Sequence, residues 1–353
     1  MRHRFIPSLA AALLAFGLSN PVQAADKVNA VASFSILADM VRNVGGDRVE
    51  VTELVGPDGD AHTFNPTPAD AKKLALADVF IVNGLGFEGW MERLETSSGF
   101  KGATVVASKG VTPRKMEDEH DHHEGAEDDH DEHAKGGDDH DKHAKDENDH
   151  DHDEHVKGEE DHDGEGEEHA GGHHHHHGDI DPHAWQNLAN GETYVANIRD
   201  GLIAADPDGK AVYEANAAKY IAALKAEDEA VKTALAALPD SRRRIITSHD
   251  AFGYFGDAYG LEILAPEGVS TESEPSAKDV ASIIRQIRDD KIPAVFMENI
   301  TNPEMLEQIA KESGAKIGGT LYSDALSAKD GPAPTYLDMF KYNVGTLTSA
   351  LSS

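Results

Sequence analysis

KAVYEANAAKYIAALKAEDEAVKTALAAL, residues 210–238, is the stretch on which the architecture turns. Its 29 residues contain no Gly or Pro, and Asp206-Pro207-Asp208-Gly209 precedes it. At 1.5 Å per residue a helix of this length spans roughly 40 Å, enough to join two domains as a stiff strut. What lies on either side fits that role. Upstream, apolar runs rich in β-branched residues at 28–32, 49–55, 79–83 and 104–107 alternate with amphipathic stretches at 36–44, 69–77 and 88–97, and a helical stretch at 188–204 leads into the strut. Downstream the pattern restarts, with strand-like runs at 244–247, 262–264, 294–298 and 320–322. Helical stretches at 251–259, 277–290, 303–313 and 335–351 lie between and after them. Strands alternating with helices at this spacing build parallel sheets from βαβ units. The expected fold is α/β: two parallel-sheet (β/α) lobes joined by a long rigid helix, with a cleft between the lobes. The expected boundaries are a leader at 1–24, an N-terminal lobe at 25–208, the linking helix at 209–238 and a C-terminal lobe at 239–353.

The leader is read from Arg2 and Arg4, the apolar run at 5–18, and the small residues Val22 and Ala24 before a cut after Ala24. That is the pattern of a secretory signal peptide, and the run is too short for a membrane span. The chain has no cysteine, so disulfides, thiolate metal sites and a lipid-modified cysteine are not expected. A periplasmic, exported protein is the expectation.

The net charge of -33 is concentrated. Residues 114–177 hold 26 Asp and Glu against six Lys and Arg, which accounts for 20 of those 33 charges. Such acidity disfavours nucleic acid and anionic lipid as partners, since both need basic patches. The tract repeats units such as Asp121-His122-His123 and Asp149-His150-Asp151-His152 and ends in five histidines, His173 to His177. With almost no apolar residue it has nothing to bury against the entropy of ordering, so a disordered insertion at about 114–178 is expected. Clustered imidazole and carboxylate suit weak, multi-site metal collection. An internal purification tag and a plain acidic spacer are the bland alternatives; the embedded Asp/His repeat disfavours both.

Seventeen of the 21 histidines fall in that tract, and His3 falls in the leader. The remaining three are His62, His183 and His249. His62 follows the 49–55 run in Gly59-Asp60-Ala61-His62-Thr63-Phe64-Asn65-Pro66, and His249 directly follows Ile245-Ile246-Thr247-Ser248. Asp324 follows Thr320-Leu321-Tyr322, and His183 sits where the chain leaves the acidic tract. In parallel α/β sheets, ligands bind beyond the carboxyl ends of strands. All four side chains can therefore project into one interdomain cleft, two from each half. Three imidazoles and one carboxylate suit a near-tetrahedral divalent ion, and imidazole favours Zn²⁺ over Mn²⁺, which prefers more oxygen. His249 is the discriminating position, because a Glu there would make the site harder. Cu²⁺ would bind such a set more tightly than Zn²⁺, so metal availability is part of the argument. Since imidazole ligates only when neutral, binding is expected to weaken below about pH 6.5.

The sequence resembles the cluster A-I solute-binding proteins of zinc and manganese ABC importers over essentially the whole mature chain. The resemblance is carried by Asp181-Pro182-His183-Ala184-Trp185-Gln186-Asn187 and by Thr247-Ser248-His249-Asp250-Ala251-Phe252-Gly253-Tyr254-Phe255. It extends to Gly268-Val269-Ser270-Thr271-Glu272-Ser273-Glu274-Pro275, to Leu321-Tyr322-Ser323-Asp324-Ala325-Leu326, and to the closing stretch that begins Thr335-Tyr336-Leu337-Asp338. The resemblance implies His62, His183, His249 and Asp324 as metal ligands and an ABC permease with its ATPase as partners. The implied function is capture of Zn²⁺ for import. Some zinc-binding members carry Glu directly before the first ligand; this chain has Ala61 there, with Asp60 one position further back. A periplasmic metallochaperone is a further candidate partner, and a monomer is expected. The alternative cargo is Mn²⁺ or Fe²⁺. A zinc hydrolase is disfavoured, because a catalytic zinc keeps an open fourth position that Asp324 is expected to close, and no HExxH motif supplies a base. Trp185, Tyr254 and Tyr322, near the motifs, are read as packing residues.

Overall fold

The computed structural model describes residues 27–116 and 180–352. The expected leader and nearly all of the acidic His-rich insertion lie outside the described residues. The N-terminal lobe runs β1 (Val28–Phe34), α1 (Ser35–Gly45), β2 (Val49–Val55), α2 (Pro68–Ala75), β3 (Val79–Val82), α3 (Met91–Ser98) and β4 (Ala103–Val106). Its four strands are all parallel, in the order β2-β1-β3-β4. Two helices follow, α4 (Leu188–Ala205) and the long α5 (Lys210–Ala236). The C-terminal lobe repeats the scheme with β5 (Arg244–Ile246), α6 (Gly253–Tyr259), β6 (Glu262–Leu264), α7 (Ala277–Asp290), β7 (Ala294–Glu298), α8 (Pro303–Ser313), β8 (Lys316–Leu321) and the closing α9 (Tyr336–Leu351). Its strand order, β6-β5-β7-β8, is the same winding as in the first lobe, again parallel throughout.

Local chemistry explains the elements. The central strands β1 and β3 are covered on both faces and read as near-continuous apolar runs, as parallel strands must when helices lie on either side. Helix α2 starts at Thr67 with a reciprocal cap from Asp70 and Pro68 in its first turn, and α7 starts with the same box built from Ser276 and Asp279. The strut α5 buries Tyr213, Ala217, Tyr220, Leu224, Asp228, Val231 and Leu235, a single stripe at helical spacing. That stripe packs on α1, α4 and α9. Two of its polar contacts are buried: Tyr220 donates to Asp39 of α1 (3.2 Å), and Asp228 accepts from Tyr259 of α6 (2.9 Å). The helix is thereby tied to both lobes.

Strand β8 departs from the sequence expectation, which began it at residue 320. It begins at Lys316, where it pairs with Ala294 of β7; Gly318-Gly319 hides the apolar alternation that would mark its first half as a strand. A side chain at Gly318 would collide with the ring of Phe296 on the neighbouring β7. Gly319 has φ +135°, close to where the β7–β8 register shifts between Val295 and Phe296. The glycines are a bulge within the strand rather than its boundary.

Candidate metal centre

Each of the four expected residues sits in the segment following a strand or loop end. His62 lies in the loop after β2, His183 just before the short 3₁₀ turn Ala184–Gln186, His249 just after β5, and Asp324 just after β8. The structure brings them together. One ligand atom from each lies within 4.8 Å of all the others, and among the described residues no other group of three or more such side chains converges this way. His62 Nε2 is 3.3 Å from His183 Nε2 and 3.1 Å from Asp324 Oδ2. His249 Nε2 is also 3.1 Å from Asp324 Oδ2, and His183 Nε2 is 3.6 Å from it. A tetrahedral ion with bonds of about 2.0–2.1 Å separates its ligand atoms by about 3.3 Å. The four spacings straddle that value, so the residues fit a small divalent ion.

Burial sets the electrostatics. His183, His249 and Asp324 are fully buried, and His62 is 7% exposed. Asp324 Oδ1 has no hydrogen-bond partner, which leaves a second carboxylate oxygen uncommitted inside the pocket. Buried carboxylates without partners are rare because they are costly; a cation relieves that cost. Burial pushes the His62 pKa down, only partly offset by Asp324. Burial also opposes charge on His183, but Asp324 and Asp181 outweigh it and push its pKa up to about 9. His249 is likewise raised against burial, by Glu298 and Asp324. Burial alone would raise Asp324, yet the imidazoles of His183 and His249 hold it well below the usual carboxylate range.

Behind the rings stand groups that the sequence reading gave no role. Asp181 Oδ1 accepts from the backbone N–H of His183 and lies 2.9 Å from its Nδ1. A carboxylate there favours the proton on Nδ1 and leaves the Nε2 lone pair facing the centre. Glu298 does the same for His249. Its Oε1 accepts from the N–H of Ser248 (2.8 Å) and of His249 (2.9 Å), and its Oε2 is 2.7 Å from His249 Nδ1, though out of line for a hydrogen bond. Glu298 ends β7 as His249 follows β5, so an acidic residue closing an apolar strand run was the signal available for it.

Asp324 leaves a C-terminal-lobe strand, but groups of the N-terminal lobe and of the turn after His183 hold its loop. Trp185 Nε1 (3.0 Å) and Gln186 Nε2 (2.6 Å) donate to the carbonyl of Ser323, and Leu326 is bound through its N–H by Ser35 Oγ and through its carbonyl by the N–H of Asp58. Asp60 has its own task. It accepts from the His62 N–H (2.8 Å) and from Thr271 Oγ1 across the cleft (2.6 Å), so it shapes the His62 loop. Aromatic rings wall one side. Phe87 lies 4.7 Å from His62 and 4.8 Å from Trp185, ring centre to ring centre. Trp185 and Tyr254 thus combine packing with hydrogen bonds, whereas Tyr322 stacks edge-on against Tyr342.

The model of the family described as the periplasmic component A of zinc-uptake complexes, ZnuA, matches residues 30–350. The chain belongs to this family. Two relatives of similar length are the manganese-binding lipoprotein MntA of Halalkalibacterium halodurans and the iron-binding protein YfeA of Yersinia pestis. MntA is 29% identical over 91% of this chain and 88% of its own. YfeA is also 29% identical, over 93% of this chain and 88% of its own. The solved periplasmic zinc-binding protein TroA of Treponema pallidum superposes with a TM-score of 0.72 at 25% identity, covering 92% of this chain and 99% of that one. ZnuA-family proteins are solute-binding components of metal ABC transporters, working with a permease and an ATPase. Among the described residues no helix is long and apolar enough to cross a membrane.

Proposed function

We propose that this ZnuA-family chain captures Zn²⁺ in the periplasm with His62, His183, His249 and Asp324, and delivers it as a monomer to an ABC permease. The observation that carries the zinc reading is the pairing of His249 with Glu298. A carboxylate 2.7 Å from Nδ1 serves an imidazole ligand and would repel a carboxylate ligand at the same position. Four donors, three of them nitrogen and with four of their six separations close to the tetrahedral value, match the preference of Zn²⁺. The names of MntA and YfeA support a second reading, Mn²⁺ or Fe²⁺ as cargo.

The ion would enter as the lobes part and be enclosed as they close, since no ligand is more than 7% exposed. The acidic His-rich tract would raise the local metal concentration and pass ions to the tighter site. The two chain ends flanking it meet: Lys115 pairs with Ile180, and the N–H of Asp181 donates to the carbonyl of Arg114 (2.9 Å). A periplasmic metallochaperone would dock through that tract. Competitive titration of the chelator-stripped protein with Zn²⁺ and Mn²⁺ tests the assignment. Zinc is expected to win at one tight site per chain, and equal or preferential Mn²⁺ binding would replace zinc by the second reading.

A further inference from the structure

Arg114 stands where the N-terminal lobe runs into the acidic tract, and its contacts run in three directions. Its Nη1 lies 3.4 Å from Asp181 Oδ2, the oxygen of Asp181 that His183 does not use. Its Nε donates to Asp257 Oδ2 at 3.1 Å, and its backbone N–H donates to the hydroxyl of Tyr254 at 2.7 Å; both partners are on α6. Its carbonyl accepts from the N–H of Asp181. A separate observation shows that this packing is tight. A Cβ on Gly253, the first residue of α6, would come within 2.6 Å of Asp181 Oδ2 and closer still to the Arg114 guanidinium. The ion pair therefore rests directly on the helix backbone, at a residue without a side chain.

These contacts connect two metal ligands from opposite lobes. On one side Arg114 fixes the carboxylate that orients the His183 ring. On the other it grips the helix that starts four residues after His249. We propose that Arg114 is a positioning residue that latches His183 to α6, so that the closed cleft retains its ion. The inference rests on the ligand assignment above. Losing the Arg114 side chain leaves the buried Asp181 with one oxygen unpaired and removes the ion pair to Asp257 of α6, while the backbone bond to Tyr254 stays, and both changes loosen the ligand set. Partners that orient metal-bound histidines are worth about 10–100-fold in metal affinity.

The test uses the full chain, loaded with Zn²⁺ for release into excess chelator and with Co²⁺ for its visible ligand-field band. Arg114→Met should release zinc about tenfold faster or more and alter the cobalt band, and Arg114→Lys should restore part of both. Asp257→Asn weakens only the side-chain contact to α6 and leaves the Asp181 pair and the Tyr254 bond, so it should speed release several-fold with the cobalt band unchanged. Should Arg114→Met fail to fold by circular dichroism, Gly253→Ala carries the test, since it displaces the guanidinium without removing it and should act in the same direction. Release within twofold of the parent, with an unchanged band, in whichever of these two variants folds would overturn the latch. His249→Ala separates the two levels: if it keeps tight zinc, the ligand assignment fails, whereas a parent that needs His249 but ignores Arg114 loses only the latch.

Discussion

Replacing Glu298 by Gln should weaken zinc binding about 10–100-fold, and the structure says why. Glu298 Oε1 accepts two backbone N–H groups, from Ser248 and His249, while Oε2 faces His249 Nδ1. Glutamine has the same shape. Its carbonyl oxygen can keep the two backbone bonds, which directs its NH₂ at Nδ1. If Nδ1 keeps its proton, donor meets donor; if the ring changes tautomer, Nε2 is protonated and has no lone pair for the ion. Either outcome disables one of the four ligands. The loss expected for such a partner, about 10–100-fold, corresponds to about 1.4–2.7 kcal/mol of binding free energy. Glu298→Ala is the poorer probe, because it strands two buried amides at about 1–3 kcal/mol each and so tests folding as much as binding. The assay is competition between the metal-free variant and a chromophoric chelator of known affinity, at fixed pH and ionic strength. A zinc affinity within twofold of the parent would refute the claim that Glu298 sets the tautomer and orientation of His249.

Proton linkage gives a second expectation. With the His183 pKa at about 9, its ring carries the extra proton at neutral pH in the metal-free protein, and binding must expel it; His249 is shifted in the same direction by Glu298 and Asp324. Zinc affinity should therefore fall by at least about tenfold per unit as pH is lowered from 8 to 6; calorimetry in buffers of different ionisation enthalpy should count at least one proton released, and a count of zero would contradict it. The same shift acts on stability. A raised histidine pKa stabilises the metal-free fold fully below the unfolded value of about 6.5 and loses that contribution as pH rises through about 9; the metal-free melting temperature should fall between pH 7 and 9.5, a fall that bound zinc suppresses. His249→Glu alone should bind both metals poorly, because it sets a third carboxylate between Glu298 and Asp324, while the double variant His249→Glu/Glu298→Gln should shift preference toward Mn²⁺ in competitive titration. Replacing 118–178 by a short Gly/Ser linker should remove the weak extra metal equivalents yet leave the tight site unchanged, because the flanking ends already meet; loss of the tight site would show that the tract belongs to it.

Much of this molecule was legible from its residues. The two windings and the strut showed in periodicity alone, because parallel strands buried on both faces are near-continuous apolar runs. Three of the four central side chains stood out by elimination, as the histidines outside the expected leader and the acidic tract; Asp324 stood out only as a carboxylate following a strand, and the full set of four is what the resemblance to the cluster A-I proteins implied. What stayed hidden depended on partners distant along the chain. Glu298 is 49 residues from His249, and Arg114 is 67 from Asp181. Arg114 has no local pattern that separates a buried orienting group from a solvated charge, and the one sign for Glu298 was its place at the end of an apolar strand run. The expected weakening of binding below about pH 6.5 used the pKa of a free imidazole, and it moves upward because Asp324, Glu298 and Asp181 outweigh burial at two of the three rings. Strand β8 was read short for a different reason, since a glycine bulge looks like a break.

The three carboxylates that touch the imidazoles differ in how their charge is compensated, and this ranks the ligands. Asp181 shares its negative charge with Arg114, whereas Glu298 is met by two neutral backbone amides. Glu298 therefore acts on His249 with less cancellation than Asp181 exerts on His183, in a pocket where low polarity strengthens both effects. In the proposed site Asp324 would touch the ion directly, so the charge of a bound Zn²⁺ would be balanced by one carboxylate among its ligands and by further negative charge standing behind nitrogen donors. That arrangement keeps the donor set soft while still neutralising a dication, which two directly ligating carboxylates would do only by hardening the site. It follows that Asp181→Asn should cost less zinc affinity than Glu298→Gln, although both remove a carboxylate behind a ligand ring. A reversed order, measured by the same chelator competition, would mean that contact geometry and not uncompensated charge decides how strongly each histidine holds the ion.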